Sequence, residues 1–216
     1  IQAATFTPEK AHYWWRTIFT DAEKARLLRP EVLKRIQPDG YGLYGEFLEN
    51  KKGSYVERCL YADLKVWLSA NNLYKVDTMT MAHGLEARVP FLDHQLVEYM
   101  AMLPVSLKFR GNVLKYLLKK MVKGKLPESI RTRKKAGWHT PIAGWFRGPL
   151  KNHLTEKLTN PKSRIMEWVN PGEVQLILDE HFRGRHNHAF KLWSLLILEH
   201  WMERFFSPNR ALQGTD

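Results

Sequence analysis

Apolar residues along the chain recur mostly at helical spacing, three and four apart, and period-2 alternation is nowhere sustained. Short helices are predicted around residues 14–19, 23–28 and 31–36, before Pro38-Asp39-Gly40 breaks the pattern. Between residues 56 and 69, Val56, Leu60, Leu64 and Trp67-Leu68 define the next helix, with Asn71-Asn72 as its predicted end. Asp93 is placed to cap a helix carrying Leu96, Val97 and Met100, which stops before Pro104. Asn112 reads as the cap of an amphipathic helix whose stripe runs from Val113 and Leu114 through Leu117, Leu118 and Met121 to Val122, with Gly124 at its end. Asn170-Pro171-Gly172-Glu173 combines a cap, a proline at the first helical position and an acid at the third, so a helix is predicted from there to about Phe182. A last helix is expected over residues 189–206, with Trp193, Leu196, Ile197, His200 and Trp201 on one face and Leu192, Leu195 and Leu198 widening it, so that the helix is well buried. The pattern predicts an all-α chain with a long irregular loop over residues 131–146.

Length and composition narrow this only a little. With 216 residues, 44% hydrophobic and 26% charged, the chain has material for one compact domain or two small ones. No run approaches the roughly 20 uncharged apolar residues of a membrane span. The chain opens on Ile1 without an apolar run, so no signal peptide is expected there, and a start inside a longer gene product is. One cysteine, Cys59, excludes an internal disulfide and reads as a small buried apolar residue. The net charge of +12 points to an anionic partner. Much of it is concentrated in Lys115, Lys119, Lys120, Lys123 and Lys125 followed by Arg131, Arg133, Lys134 and Lys135.

Two segments behave like neither core nor plain surface. Residues 77–93 (Asp77-Thr-Met-Thr-Met-Ala-His-Gly-Leu-Glu86-Ala-Arg88-Val-Pro-Phe-Leu-Asp93) mix charge and apolar character without a clean period. Glu86 and Arg88 are two apart and would not share a helical face, so each is expected to pair elsewhere. Read alone, the segment suggests a buried ion-pair network joining two helices. Residues 131–141 place basic residues before Gly137 and Trp138, either a solvated basic turn or a mobile loop able to close over an anion. His181, His186 and His188 lack a cysteine or carboxylate at matching spacing, so a solvent-exposed turn is expected and no metal site.

Together the two segments resemble the asparagine synthetase family. The pattern Asp77-x-x-Thr80-Met81-x-x-x-Leu85-Glu86-x-Arg88-Val-Pro-Phe-Leu-Asp93 is similar to a signature of that family. The likeness continues through Lys115 with Leu118, Leu126-Pro127, Lys135-x-Gly137-Trp138 and Leu192-Trp193…Glu199-His200-Trp201, and upstream through His12-Tyr13, Phe19 and Leu28-x-Pro30-Glu31. The resemblance implies a mainly α fold: the helical C-terminal portion, residues 1–216, of an adenine-nucleotide α-hydrolase-like (ATP pyrophosphatase) synthetase domain, without its parallel sheet. The family's Ser-Gly-Gly-x-Asp-Ser phosphate loop, its Gly-Glu-Gly-x-Asp-Glu segment and the glutaminase with its N-terminal cysteine do not occur here. All would lie upstream of residue 1.

In that family, ATP adenylates the aspartate side-chain carboxylate and ammonia released from glutamine attacks the adenylate. Carried over, Lys135 matches a loop lysine that contacts the phosphates, and Lys115 aligns with a second lysine near them. Asp63 falls at an active-site acidic position, while Asp77, Glu86, Arg88, Asp93 and Gly137 are motif residues that hold the site. The implied cofactors are ATP and Mg2+ in the parent protein, neither bound tightly by this chain alone. The implied partners are aspartate or another carboxylic acid, ammonia and the missing N-terminal domains, in the cytoplasm, with a homodimer left open. An amide-forming relative acting on another acid is the first alternative. A basic nucleic-acid-binding module through residues 115–135 is the second, and Trp138 alone offers too little stacking surface for it, so neither nucleic acid nor membrane is expected as a partner.

Overall fold

The computed structural model describes residues 6–36, 40–49, 52–134 and 140–206. Its architecture is mainly helical. In chain order the helices are α1 (Pro8–Trp14), α2 (Asp21–Leu27), α3 (Pro30–Leu33), α4 (Gly42–Leu48), α5 (Tyr55–Ala62), α6 (Tyr74–Met81) and α7 (His94–Met102). Then follow α8 (Val105–Lys108), strands β1 (Phe109–Arg110) and β2 (Val113–Leu114), α9 (Tyr116–Met121), α10 (Glu128–Thr132), α11 (Ile142–Arg147), α12 (Lys151–Thr159), α13 (Pro171–Phe182) and α14 (Ala189–Phe205). The chain forms two compact units, Ile1–Arg16 with Gly40–Gly137 and Thr17–Asp39 with Trp138–Asp216.

The first unit has a small core where Tyr41, Tyr44 and Leu48 of α4 and its N-cap meet Cys59 and Ala62 of α5. Thr7 caps α1 and Pro8 opens it, the signals that set this helix ahead of the predicted 14–19. Ser54 and Glu57 form a reciprocal capping box at the start of α5. That helix does not stop at Asn71-Asn72. It passes into a π-wound stretch, Asp63–Leu73, and on into α6 without a break. Beyond it the predicted helix from Asn112 is replaced at its start by a hairpin, with Phe109 opposite Leu114 and Arg110 opposite Val113. Gly111, at φ +56, takes the first of the two turn positions, as a type II′ turn requires. Asn112 is therefore a turn residue, and only Tyr116–Met121 is helical. None of residues 63–134 is buried.

The second unit carries the larger core. Phe146 of α11, Leu154 and Leu158 of α12, Leu178 of α13 and Leu192 of α14 are fully enclosed. Helix α13 starts at Asn170, whose side chain accepts from the Gly172 amide, and ends at Phe182 as the sequence indicates. Part of the expected irregular loop is helical, since α10 and α11 occupy its two ends. In α14 the buried side chains are Ala189, Leu192, Leu195, Leu196, Glu199 and Met202, so the three leucines lie on the core face as expected, whereas Trp193, Ile197 and Trp201 are partly exposed. The buried stripe is thus rotated away from the tryptophans.

Glu199 explains the rotation. Its carboxylate has no solvent exposure and accepts from the backbone amides of Arg164 (3.1 Å) and Ile165 (2.7 Å). These are two of the unpaired donors at the start of the 3-10 turn Arg164–Glu167. Arg29 closes the same region from the other side, its Nε donating to the carbonyls of Met166 (3.1 Å) and Val169 (3.2 Å). Glu199→Ala would leave the buried Ile165 amide and the partly buried Arg164 amide without their partner, so it is expected to lower the unfolding free energy by about 3 kcal/mol. Glu199→Gln, which keeps one acceptor, should lie between. Urea denaturation followed by circular dichroism measures this, and an unchanged midpoint in Glu199→Ala would contradict the assignment.

Candidate functional site

Every described residue singled out as chemical by the family resemblance falls in the first unit. Asp63 sits where α5 gives way to the π-wound turns. Its Oδ1 accepts from Arg16 Nη2 at 2.7 Å and lies 3.0 Å from His12 Nε2. The Arg16 guanidinium also donates to the His12 carbonyl (2.8 Å) and lies over the rings of Tyr44 (5.6 Å) and Trp67 (5.4 Å). Two aromatic faces and a carboxylate therefore fix one cation, and that cation fixes Asp63. Oδ2 of Asp63 has no partner among the described residues. Spacing in the sequence points to neither Arg16 nor His12 as a site residue, because they precede Asp63 by 47 and 51 positions.

The signature segment begins in α6 and leaves it through a turn at Gly84. Asp77 is exposed and its side chain makes no hydrogen bond to another described residue. Asp63 and Asp77 are fourteen residues apart on one continuous helix, on the order of 15–20 Å. They cannot converge on the same reacting atom. Glu86 and Arg88 pair with each other at 3.0 Å, both well exposed. The expectation of separate partners in a buried network is thus corrected: the backbone here is non-helical, and in extended chain residues two apart share a face. Asp93 accepts from the Leu96 amide at 3.1 Å and caps α7 as expected.

Lys115 is the one non-glycine residue with positive φ among the described residues, at +56. It joins β2 to α9, a left-handed position that costs a lysine on the order of 1 kcal/mol. Its side chain is exposed, as are those of Lys120, Lys123 and Lys125, and none of the four forms an ion pair with another described residue. Arg131 is engaged by Glu128. These cations fit a polyphosphate in charge. Among the described residues the acids of this segment do not gather into a cluster: Asp93 is a cap, Glu86 is paired and the Asp77 side chain makes no hydrogen bond. Lys135 and Gly137 lie outside the described residues.

Burial pushes the Cys59 thiol up, and the Tyr55 hydroxyl beside it is pushed up to about 12 by burial and then by Cys59. His181 is not in an exposed turn. It is fully buried on α13, where burial and then Arg147 push its pKa down. His186 and His188 do follow the helix in a turn, and Glu180 joins them there.

The asparagine synthase family matches residues 2–203 of this chain. The chain is 32% identical over 201 residues to the glutamine-hydrolyzing asparagine synthetase 1 of Bacillus subtilis (strain 168), covering 89% of this chain and 30% of that protein. It is 34% identical over 206 residues to a putative glutamine-hydrolyzing asparagine synthetase of Mycobacterium tuberculosis (strain ATCC 25618 / H37Rv), covering 93% and 30%. A shorter likeness, 30% over 124 residues, covers 55% of this chain and 18% of amidase chry2 of Gibberella zeae. The chain thus spans about 30% of the length of the two asparagine synthetases it matches. No solved structure matches it. No helix among the described residues is long and apolar enough to cross a membrane.

A raised thiol pKa means less thiolate at a given pH, so Cys59 should alkylate slowly in the folded chain. At pH 8 iodoacetamide is expected to react roughly tenfold or more slowly than with the urea-unfolded chain. Equal rates in the two states would show that Cys59 is not enclosed.

Proposed function

The chain belongs to the asparagine synthase family, and from that membership we propose that it is the C-terminal helical part of a synthetase domain that makes asparagine. The domain would be of the adenine-nucleotide α-hydrolase type, with the parallel sheet, the phosphate loop and a glutaminase supplied by the rest of a cytoplasmic parent protein. The observation that carries the reading is the family match across residues 2–203, which takes in the whole signature segment. In the proposed reaction a side-chain carboxylate oxygen of aspartate attacks the α-phosphorus of ATP and pyrophosphate leaves. Ammonia, released from glutamine, then attacks the acyl carbon and AMP departs. Mg2+, when bound in the parent, would neutralise phosphate charge.

This chain's own residues would form one wall of that site. Lys135 and Lys115 would face the phosphates, where a compact ammonium suits a charge that moves during pyrophosphate loss. The unpaired exposed lysines that follow Lys115 support a local positive field there. Asp63 would present Oδ2 to substrate while Arg16 and His12 hold Oδ1, an arrangement that orients an acid more firmly than a lone side chain. Asp77, Glu86, Arg88, Asp93 and Gly137 would shape the backbone between these groups. Asp93 supports this through its cap. The isolated chain is expected neither to synthesise asparagine nor to bind ATP tightly.

A second reading keeps the chemistry and changes the acid. The likeness to an amidase favours it to the extent that amide chemistry on another carboxylate uses a related chain. In the full-length parent, Lys135→Ala should slow acid-dependent pyrophosphate release by roughly a hundredfold or more while glutamine hydrolysis persists. Equal loss of both activities would contradict the phosphate role. Pyrophosphate release that needs another acid, and is indifferent to aspartate, would replace asparagine synthesis with the second reading.

A further inference from the structure

We propose that Glu180, His186 and His188 form a site for a divalent transition-metal ion of the zinc type, in the turn that follows α13. It lies in the second unit and does not depend on the synthetase reading.

The turn is held by groups other than the proposed ligands' side chains. Gly184, at φ +70, reverses the chain after α13. The Glu180 carbonyl accepts from the amides of Arg185 (3.0 Å) and His186 (3.3 Å). At the far end, the His188 amide donates to Nδ1 of the buried His181 at 3.1 Å. Arg147 Nε donates to the His181 carbonyl at 2.9 Å and fixes the end of the helix. Backbone on both sides of the three side chains is therefore set before any ion arrives, which lowers the cost of gathering them.

The donor atoms already converge. Glu180 Oε2 lies 2.6 Å from His188 Nε2 and 3.6 Å from His186 Nδ1, and the three donors lie within 4.8 Å of one another. Zinc bonds of about 2.1 Å at tetrahedral angles place adjacent donors about 3.4 Å apart. The Glu180–His186 separation is close to that already, the Glu180–His188 one must open by less than about 1 Å as the ion replaces the proton between them, and the His186–His188 one, within 4.8 Å, closes by no more than about 1.4 Å. Two imidazoles and one carboxylate select zinc-like ions over Mg2+ or Ca2+, which prefer all-oxygen shells. His186 is 67% exposed, so the ion can enter from solvent. Glu180 and His188 also line a cavity of about 130 Å³, which leaves room for water as a fourth ligand. Lys191 borders the same cavity, and its charge is countered by Glu23 at 2.5 Å.

The other histidine pair in this unit does not offer an equivalent. His200 presents Nε2 to His153 (3.3 Å) and its opposite nitrogen, Nδ1, to Glu203 (3.2 Å), so one ion cannot collect all three. The other oxygen of Glu203 is taken by Lys157.

Titration of the untagged, metal-free 216-residue chain with Co2+, read by visible d–d absorption, tests the site. One equivalent should bind with the intensity of a four-coordinate centre, be displaced by Zn2+, and raise the melting temperature. His186→Ala, an exposed change whose fold circular dichroism checks, should weaken Co2+ binding about a hundredfold, and Glu180→Gln should do likewise. His153→Ala should leave binding unchanged. Absence of stoichiometric binding, binding indifferent to His186→Ala in a folded variant, or binding lost in His153→Ala would each overturn the proposal.

Discussion

Removal of apolar side chains from water is the dominant favourable term in folding, and along this chain it is very unevenly distributed. Helices α11 to α14 enclose a core in which Phe146, Leu154, Leu178 and Leu192 are fully shielded. The first unit has Leu48, Ala62, Tyr41, Tyr44 and Cys59, and from residue 63 to residue 134 nothing is buried. In that stretch Met79, Leu85, Phe91, Met102, Leu114 and Met121 are all more than half exposed. Local devices give it shape: the Asp93 cap, the Gly111 turn and a helix continuous through α6. Such devices are worth about 1 kcal/mol each, too little to order a long stretch without burial.

The residues that carry the family signature lie on this part of the chain. A set of side chains with no core beneath it is positioned by whatever covers it. In the proposed reading that cover is the remainder of a parent protein, of whose relatives' length this chain spans about 30%. The pairing of Asp63 with Arg16 and His12 is different in kind. It rests on the small core of α4 and α5 and on the aromatic faces of Tyr44 and Trp67, and needs nothing further.

Local signals were legible in the sequence and distant ones were not. Asn170-Pro171 and Asp93 announce their helices because a cap acts over three residues. Asn112 misleads because the same residue suits a helix cap and a hairpin turn, and only the strand partners Phe109 and Leu114 decide between them. Glu199 would be placed at the surface by its type, yet the two amides it satisfies make its burial favourable and turn α14 away from its tryptophans. A helical period puts Glu86 and Arg88 on different faces, but the chain is not helical there and the two pair. Spacing alone does not place Glu180 beside His186 and His188, because a turn brings them together.

The central claim is that the signature-bearing stretch has no core of its own while the C-terminal helices do. Hydrogen exchange of the isolated chain, resolved by residue, measures this directly. Amides in α12, α13 and α14 should be protected at least about a thousandfold more than those in residues 63–134. Comparable protection in the two regions would contradict the account.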